Sequence, residues 1–260
     1  MRVLRSIRYN AKEARDMGFP YAARRLVSRS SPMVRVPIKG VGPLTLRLGS
    51  SDEPTVRQIF VDGQYDMRCI PQWRDIERRY EEILHHGRRP LIVDAGANIG
   101  AASLYFAREF PRAKIVAVEP EPSNARLCCE NTSAFDVEVL PMAIGSARGK
   151  VSLVDEDCEN WAFATRRSSD GDIAVCTIND IVTNHHGECD LFLVKIDIEG
   201  FESDLFSANV EWVRDAKIIF IEPHDWLLPG QATSRNFQRV LAEHEFDVIV
   251  SGENLLYVRR

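Results

Sequence analysis

The ten residues 193–202, LVKIDIEGFE, carry an apolar run into three charges at alternate positions: Lys195, Asp197 and Glu199. In an extended chain, alternation of period two puts such side chains on one face. A cation followed by two carboxylates at the tip of an apolar strand can cap the next helix, bind a metal or handle a substrate. A second group lies upstream, in VDAGANIG at 93–100, where Asp94 precedes Gly96 and Gly100. Glycine lets the backbone turn tightly and lets a ligand approach it closely. A third acid, Glu119, ends the next apolar run 23 residues after Gly96, where a carboxylate can accept hydrogen bonds from a ribose diol.

The glycine loop lacks G-x-G-x-x-G and lacks the lysine of a phosphate-binding loop. A carboxylate before the glycines disfavours a pyrophosphate and favours a cationic or amine-bearing ligand. Singly, Asp94 would cap a turn and Glu119 would merely end a strand. Together they point to a nucleoside ligand without phosphates and with positive charge. S-adenosylmethionine, with its sulfonium, amino acid end and adenosine, has this chemistry.

These residues need a scaffold. Short apolar runs at 91–94, 115–119, 137–140, 191–196 and 218–221 alternate with helical patterns at 101–110, 122–133, 202–208 and 234–245. Strands alternating with helices call for a mostly parallel sheet covered on both faces. Runs at 246–250 and 255–258 close the chain as a hairpin whose turn exceeds two residues, and 150–154 with 173–176 form an inserted hairpin-like excursion. Upstream, 44–48 alternates as a strand, 53–61 is a short helix with Ser51 or Asp52 as N-cap, and 73–86 has one apolar helical face. Residues 5–30 are helical, and 28–37 is a polar linker punctuated by proline.

Ligands of open α/β sheets sit at the carboxyl ends of the strands. That edge collects Asp94, Glu119, Asp197, Glu199, Glu222 and His224. Asp197 and His224 are the candidate catalytic residues. Lys195, one pleat further in, is expected to pair with an acid, and at Glu199 capping of the next helix competes with catalysis. Asp197, Glu222 and His224 have the donor types for a hard cation such as Mg²⁺, but no metal is assigned. His85-His86 at a helix end and His185-His186 in a polar loop are unsuited to metal, because adjacent side chains point different ways.

VDAGANIG at 93–100, VEPEPSN at 118–124, CTINDI at 176–181 and VKIDIEGFE at 194–202 occur in the order of the FkbM-type S-adenosylmethionine-dependent methyltransferases, which this chain resembles over about residues 91–222. LRLGSSDEPTVRQIFVDGQY at 46–65 is similar to the lead-in of many members. The resemblance implies a class I methyltransferase, Rossmann-like fold: seven mostly parallel strands with an antiparallel last strand, plus an N-terminal helical and β extension. It implies O-methylation of a hydroxyl on a sugar or polyketide-like product. Asp94, Gly96, Asn98 and Gly100 match the family's cofactor loop and Glu119 its ribose-binding acid, followed by Pro120. Ala143, after the third strand, stands where such folds contact adenine. Asp52 and Tyr65 would bring the N-terminal segment over the pocket as a lid, making them candidate substrate residues with Glu199 and Glu222. Asn179-Asp180 departs from the family's common Leu-Asp.

The implied organisation is a basic segment and linker at 1–40, a lid or extension at 41–89 and a cofactor-binding domain at 90–260. With 260 residues and 45% hydrophobic content the chain can bury a sizeable core. Residues 1–40 hold ten Lys/Arg against Glu13 and Asp16, so at a net charge of -5 the remainder is strongly acidic. An acidic body argues against nucleic acid as a partner. The basic head is expected to be a solvated helix, with weak contact to an anionic membrane surface or partner as the competing role. The six cysteines form neither a disulfide framework nor a zinc pattern. With no secretory signal or membrane span, the expected location is the cytoplasm. The expected partner is a small-molecule or glycan acceptor. Two other readings compete: a nicotinamide-dependent oxidoreductase, and a non-catalytic S-adenosylmethionine-binding protein.

Overall fold

The computed structural model describes residues 33–155, 163–167 and 170–260; the helix expected over residues 5–30 lies outside them. The chain opens with an antiparallel pair, β1 (Met33–Ile38) and β2 (Gly42–Arg47). The proline-punctuated linker therefore ends earlier than expected. From Met33 the residues alternate exposed and buried, with Val34, Val36 and Ile38 inward, and Pro37 is tolerated in a strand with only one partner.

Helix α1 (Asp52–Arg57) runs into a π-helical turn at Gln58–Asp62, and α2 is Trp73–His85. Then β3 (Arg89–Ala95), α3 (Ala101–Glu109), β4 (Lys114–Val118), α4 (Pro122–Thr132) and β5 (Val137–Leu140) follow in strict alternation. After β6 (Ala143–Ile144), strands β7 (Gly149–Asp155), β8 (Phe163–Arg167) and β9 (Ile173–Cys176) complete a separate four-stranded sheet in the order β6-β9-β7-β8. The expected excursion is thus a small sheet of its own. Helix α5 (Ile178–His185) was not anticipated and takes in His185, which was expected in a loop. Its sequence signal is a capping box: Thr177 Oγ1 accepts from the Asp180 amide at 3.0 Å, and Asp180 Oδ2 from the Thr177 amide at 3.0 Å.

Strands β10 (Cys189–Ile196), β11 (Ile218–Ile221), β12 (Phe246–Ser251) and β13 (Asn254–Arg259) complete the main sheet, with α6 (Glu202–Leu205) and α7 (Arg235–Ala242) between them. The order is β12-β13-β11-β10-β3-β4-β5. β13 pairs antiparallel with both neighbours while the central pairings are parallel, so the last strand alone is reversed, as expected. This is the expected class I methyltransferase sheet. The closing turn holds only Gly252 and Glu253, since Ser251 already pairs with Asn254, and Gly252 takes the positive φ of 62° that tight hairpins need.

Both faces of the sheet are covered. Ile92, Phe192 and Phe220 face Tyr80, Phe106, Phe110 and the inward residues of β1 and β2. Leu91, Val93, Val194 and Ile219 face Phe206, Trp212 and Phe237. The N-terminal hairpin is locked to the body by polar bonds. Asp52, fully buried, accepts from the Arg47 amide, Nε and Nη2 at 2.7, 2.8 and 2.9 Å, and Arg47 reaches on to Ser123 and Asn124 at the start of α4. Asn131 bonds both the amide and the carbonyl of Thr45, and also the Ile99 carbonyl. Among the described residues no helix is long and apolar enough to cross a membrane.

Gly100 starts α3 with φ 86°, and a Cβ there would stand 2.9 Å from Cys128 Sγ and 3.0 Å from Thr132 Cγ2. Gly100→Ala is expected to destabilise the fold by about 1–3 kcal/mol in urea unfolding, through overpacking and backbone strain; an unchanged midpoint would show that α3 and α4 can separate freely.

Candidate active site

The glycine loop and the tip of β10 are assembled around Lys195. A register shift between Leu191 and Leu193 sets Lys195 opposite Asp94 across the β10–β3 pair. Both side chains are buried. Lys195 Nζ lies 3.1 Å from Asp94 Oδ1 and 3.5 Å from Asp197 Oδ2, and donates to the Gly96 carbonyl at 2.6 Å. Ser103 Oγ donates to Asp94 Oδ2 at 2.6 Å. Burial pushes the Lys195 pKa down, but the charges of Asp94 and Asp197 outweigh it and hold the ammonium protonated. Lys195 takes the supporting position expected of it. Asp94 does not take the expected one: its carboxylate is spent on Lys195 and Ser103, and it lines no cleft described below. Gly100 likewise turns toward α4.

Gly96 (φ 78°) packs so tightly on β10 that a Cβ would come within 1.8 Å of the Asp197 carbonyl oxygen. Two clefts flank this crossing. The smaller, of about 640 Å³, is walled by Gly96, Asn98, Glu119, Pro120, Ala143 and Phe201, among others. Glu119, almost wholly buried, accepts from the amides of Asn98 at 2.8 Å and Glu121 at 3.0 Å. Burial raises its pKa, and those amides partly offset the rise. Asn98 has a positive φ of 49°, and its Oδ1 is buried without a partner among the described residues.

The larger cleft, of about 1890 Å³, opens on the other side. Ser51, Thr55, Gln58, Gln64 and Tyr65 of the N-terminal segment form one wall, and Glu222, His224, Trp226 and Glu253 another. Tyr65 is 2% exposed, its ring 5.2 Å from those of both Phe106 and Phe220, so it reaches the cleft from a packed position. Asp52, expected beside it as a substrate residue, lines neither cleft; its carboxylate is taken by Arg47.

Gly96, Asn98, Asp197 and Glu199 border both clefts. Glu199 does not cap the helix. It adopts φ 52°, and its Oε2 is buried without a partner among the described residues. Burial, then the neighbouring Asp197 charge, push its pKa up to about 8. Glu222 is pushed up to about 7 by the same two causes in the same order. His224, 4% exposed, donates from Nδ1 to Oε1 of the fully buried Glu202 at 2.7 Å. Its Nε2 faces Asp197 Oδ1 at 3.7 Å and Glu222 Oε1 at 3.9 Å. Burial lowers the His224 pKa, but the Glu202 hydrogen bond and the charges of Glu202, Asp197 and Glu222 prevail and raise it to about 9.

Sequence reading missed Glu202 and Trp226. The only signal for Glu202 is its place at the end of IDIEGFE. Trp226 has none: a tryptophan two residues past a candidate histidine reads as core, yet it is 72% exposed at the cleft rim.

Two outcomes follow. Lys195→Met leaves Asp94 and Asp197 without their cation and is expected to cost about 3–5 kcal/mol in chemical unfolding; a loss below about 1 kcal/mol would show that the pair does not hold the site together. For His224 the folded-state pKa of about 9 lies above the ordinary 6.5, so the pairing with Glu202 stabilises fully below the ordinary value and is lost as pH rises through 9. The melting-temperature gap between wild type and Glu202→Gln is therefore expected to be widest near about pH 6 and to narrow by about pH 10; a pH-independent gap would contradict the ion pair.

Comparison with known proteins places this geometry. Residues 94–249 match the family model for the methyltransferase FkbM domain. The methyltransferase sdnD of Sordaria araneosa is 35% identical over 101 residues, 37% of this chain and 33% of that protein. The 2-O-methyltransferase NoeI of Sinorhizobium fredii is 28% identical over 191 residues, 64% of this chain and 79% of that protein. The hexuronic acid methyltransferase AglP of Haloferax volcanii is 21% identical over 200 residues, 73% and 82% of the respective chains. The match thus spans a third of sdnD but about four fifths of NoeI and AglP. With more than half its length matched, and with the sheet order and strand-tip site described above, the chain belongs to the FkbM methyltransferase family.

Proposed function

We propose that this protein transfers a methyl group from S-adenosylmethionine to a hydroxyl of a sugar or glycan acceptor. The observation that carries the reading is the meeting of two clefts at Gly96, Asn98, Asp197 and Glu199. The smaller suits the cofactor. Glu119 offers a carboxylate to a diol, Pro120 and Ala143 stand on the same wall, and the buried, unpartnered oxygens of Asn98 and Glu199 call for donors that an amino acid end supplies. The sulfonium is further favoured by the surrounding acids.

When bound, the cofactor supplies an electrophilic methyl on sulfur. The chain's part is to hold the acceptor oxygen about 3–3.5 Å from that carbon, in line with the bond that breaks, and to exclude water. The hydroxyl must lose its proton as the new bond forms. His224, raised to about 9, carries its proton near neutrality and donates a hydrogen bond that orients the acceptor. Asp197, the partly exposed carboxylate at the junction, takes the proton. Glu222 borders the same spot from the acceptor side.

The sugar reading rests on the larger cleft and on two relatives. NoeI is a 2-O-methyltransferase and AglP a hexuronic acid methyltransferase. The exposed indole of Trp226 at the rim offers a flat apolar face for a pyranose ring, and Thr55, Gln58 and Gln64 offer donors and acceptors to its hydroxyls. The acceptor is a small molecule or glycan on this reading, and the segment 41–89 acts as the wall that closes over it.

Isothermal titration should show saturable S-adenosylmethionine binding, weakened about 10–100-fold in Glu119→Ala by loss of charged hydrogen bonds; no binding to folded protein would sink the proposal. With a methylated acceptor identified by tritiated-methyl labelling of glycan pools, Asp197→Asn is expected to lower kcat about 10²–10⁴-fold. Trp226→Ala should raise KM with kcat little changed, and an unaltered KM would remove the indole from the acceptor site.

A further inference from the structure

Three donor atoms converge where the two clefts meet. His224 Nε2 stands 3.7 Å from Asp197 Oδ1 and 3.9 Å from Glu222 Oε1, and the three groups offer donors all within 4.8 Å of one another. These separations are too long for hydrogen bonds. They suit three ligands sharing one ion at about 2.0–2.2 Å each, after small carboxylate rotations.

One further feature points to a ligand there. The Nδ1 hydrogen of His224 is taken by Glu202, which is fully buried and lies outside the trio. That leaves Nε2 as the atom presented to Asp197 and Glu222. A carboxylate behind the imidazole is the usual support of a metal-bound histidine, because it fixes the tautomer and raises ligand basicity. The nearby Lys195 ammonium is held by Asp94 and the Gly96 carbonyl and touches Asp197 through Oδ2, leaving Oδ1 as the oxygen that faces His224.

We infer that Asp197, Glu222 and His224 form a divalent-cation site at the inner end of the acceptor cleft. Two carboxylates with one imidazole suit Mn²⁺ better than Mg²⁺, because carboxylates favour both while imidazole favours the first-row transition ions. Three protein ligands leave positions open toward the cleft, where, on the methyltransferase reading, the acceptor's hydroxyl and a neighbouring oxygen would complete the shell. The ion takes the place of the proton on Nε2 and replaces the His224 hydrogen bond in holding the acceptor, while Nδ1 keeps its bond to Glu202; Asp197 ligates through Oδ1 and keeps Oδ2 to take the hydroxyl proton. It would hold the reacting oxygen and lower the pKa of its hydroxyl.

The test uses the full chain, stripped of metal by chelator and titrated with Mn²⁺ alone, following loss of the free-ion signal by electron paramagnetic resonance. Wild type should bind one equivalent saturably. Glu222→Gln and His224→Ala should lose that binding while keeping the wild-type circular dichroism spectrum, and Glu202→Gln should weaken it about 10–100-fold. Absence of saturable binding in wild type, or binding unchanged in both ligand variants, overturns the site. Because this readout needs no turnover, a parallel titration with S-adenosylmethionine separates the two claims. Failure of the cofactor to bind would sink the proposed function and leave the ion site standing, and failure of Mn²⁺ alone would do the reverse.

Discussion

The buried pairing of Lys195 with Asp94 is the constraint on which the site depends. A lone charge so deep in the sheet would be very unfavourable, so each holds the other in place. The ammonium also accepts the geometry of the Gly96 turn by binding its carbonyl, and it leans on Asp197. One cation thus ties the tip of β3, the glycine loop and the tip of β10 into a single body. Everything that forms the clefts hangs from those three pieces. The loop in turn delivers the Asn98 amide to Glu119, which fixes the acid at the tip of β4.

From that anchor the site spreads as a gradient of charge. Asp197, Glu199 and Glu222 crowd the junction with His224 among them, and Glu199 and Glu222 are forced toward their protonated forms by burial and by Asp197. Such crowding is costly unless something positive arrives, which the sulfonium and a divalent cation each would be. Glu202 stands behind His224 as the fixed partner that keeps one imidazole nitrogen turned to the cleft. The N-terminal segment has a quieter part. Arg47 and Asp52 spend their charges on each other and on α4, which sets Thr55, Gln58 and Tyr65 rigidly along the acceptor wall.

Much of this was legible in the residues. The alternation of apolar runs and helical patterns marked every strand of the main sheet, and the central ones are continuously apolar because both their faces are buried. The glycine loop, Glu119 and the tips bearing Asp197, Glu222 and His224 were all placed at the right edge. What escaped was whatever depends on a partner distant in sequence. The strand Met33–Ile38 was hidden by Pro37 within it and Pro32 before it, and only pairing with Gly42–Arg47 reveals it. Helix Ile178–His185 was overlooked although Thr177 and Asp180 spell its cap, since its apolar face is short. Asp52 and Asp94 were given to ligands because the sequence does not show Arg47 or Lys195 reaching them.

The sequence by itself determined the element order, the sheet class and which edge carries the chemistry, because periodicity and the position of acids after apolar runs are local properties. It also put Lys195, Asp197 and Glu199 at alternate positions of one strand tip. Only the tertiary structure decided what each one does. The register shift between Leu191 and Leu193 sets Lys195, rather than its neighbour, opposite Asp94, and in a sheet a slip of one residue moves every side chain to the other face. Glu199 was freed from the helix by its left-handed backbone. Glu202 and His224, 22 residues apart, meet only because β11 lies beside β10. Such long-range registry follows from packing and pairing energies that no short stretch of sequence contains.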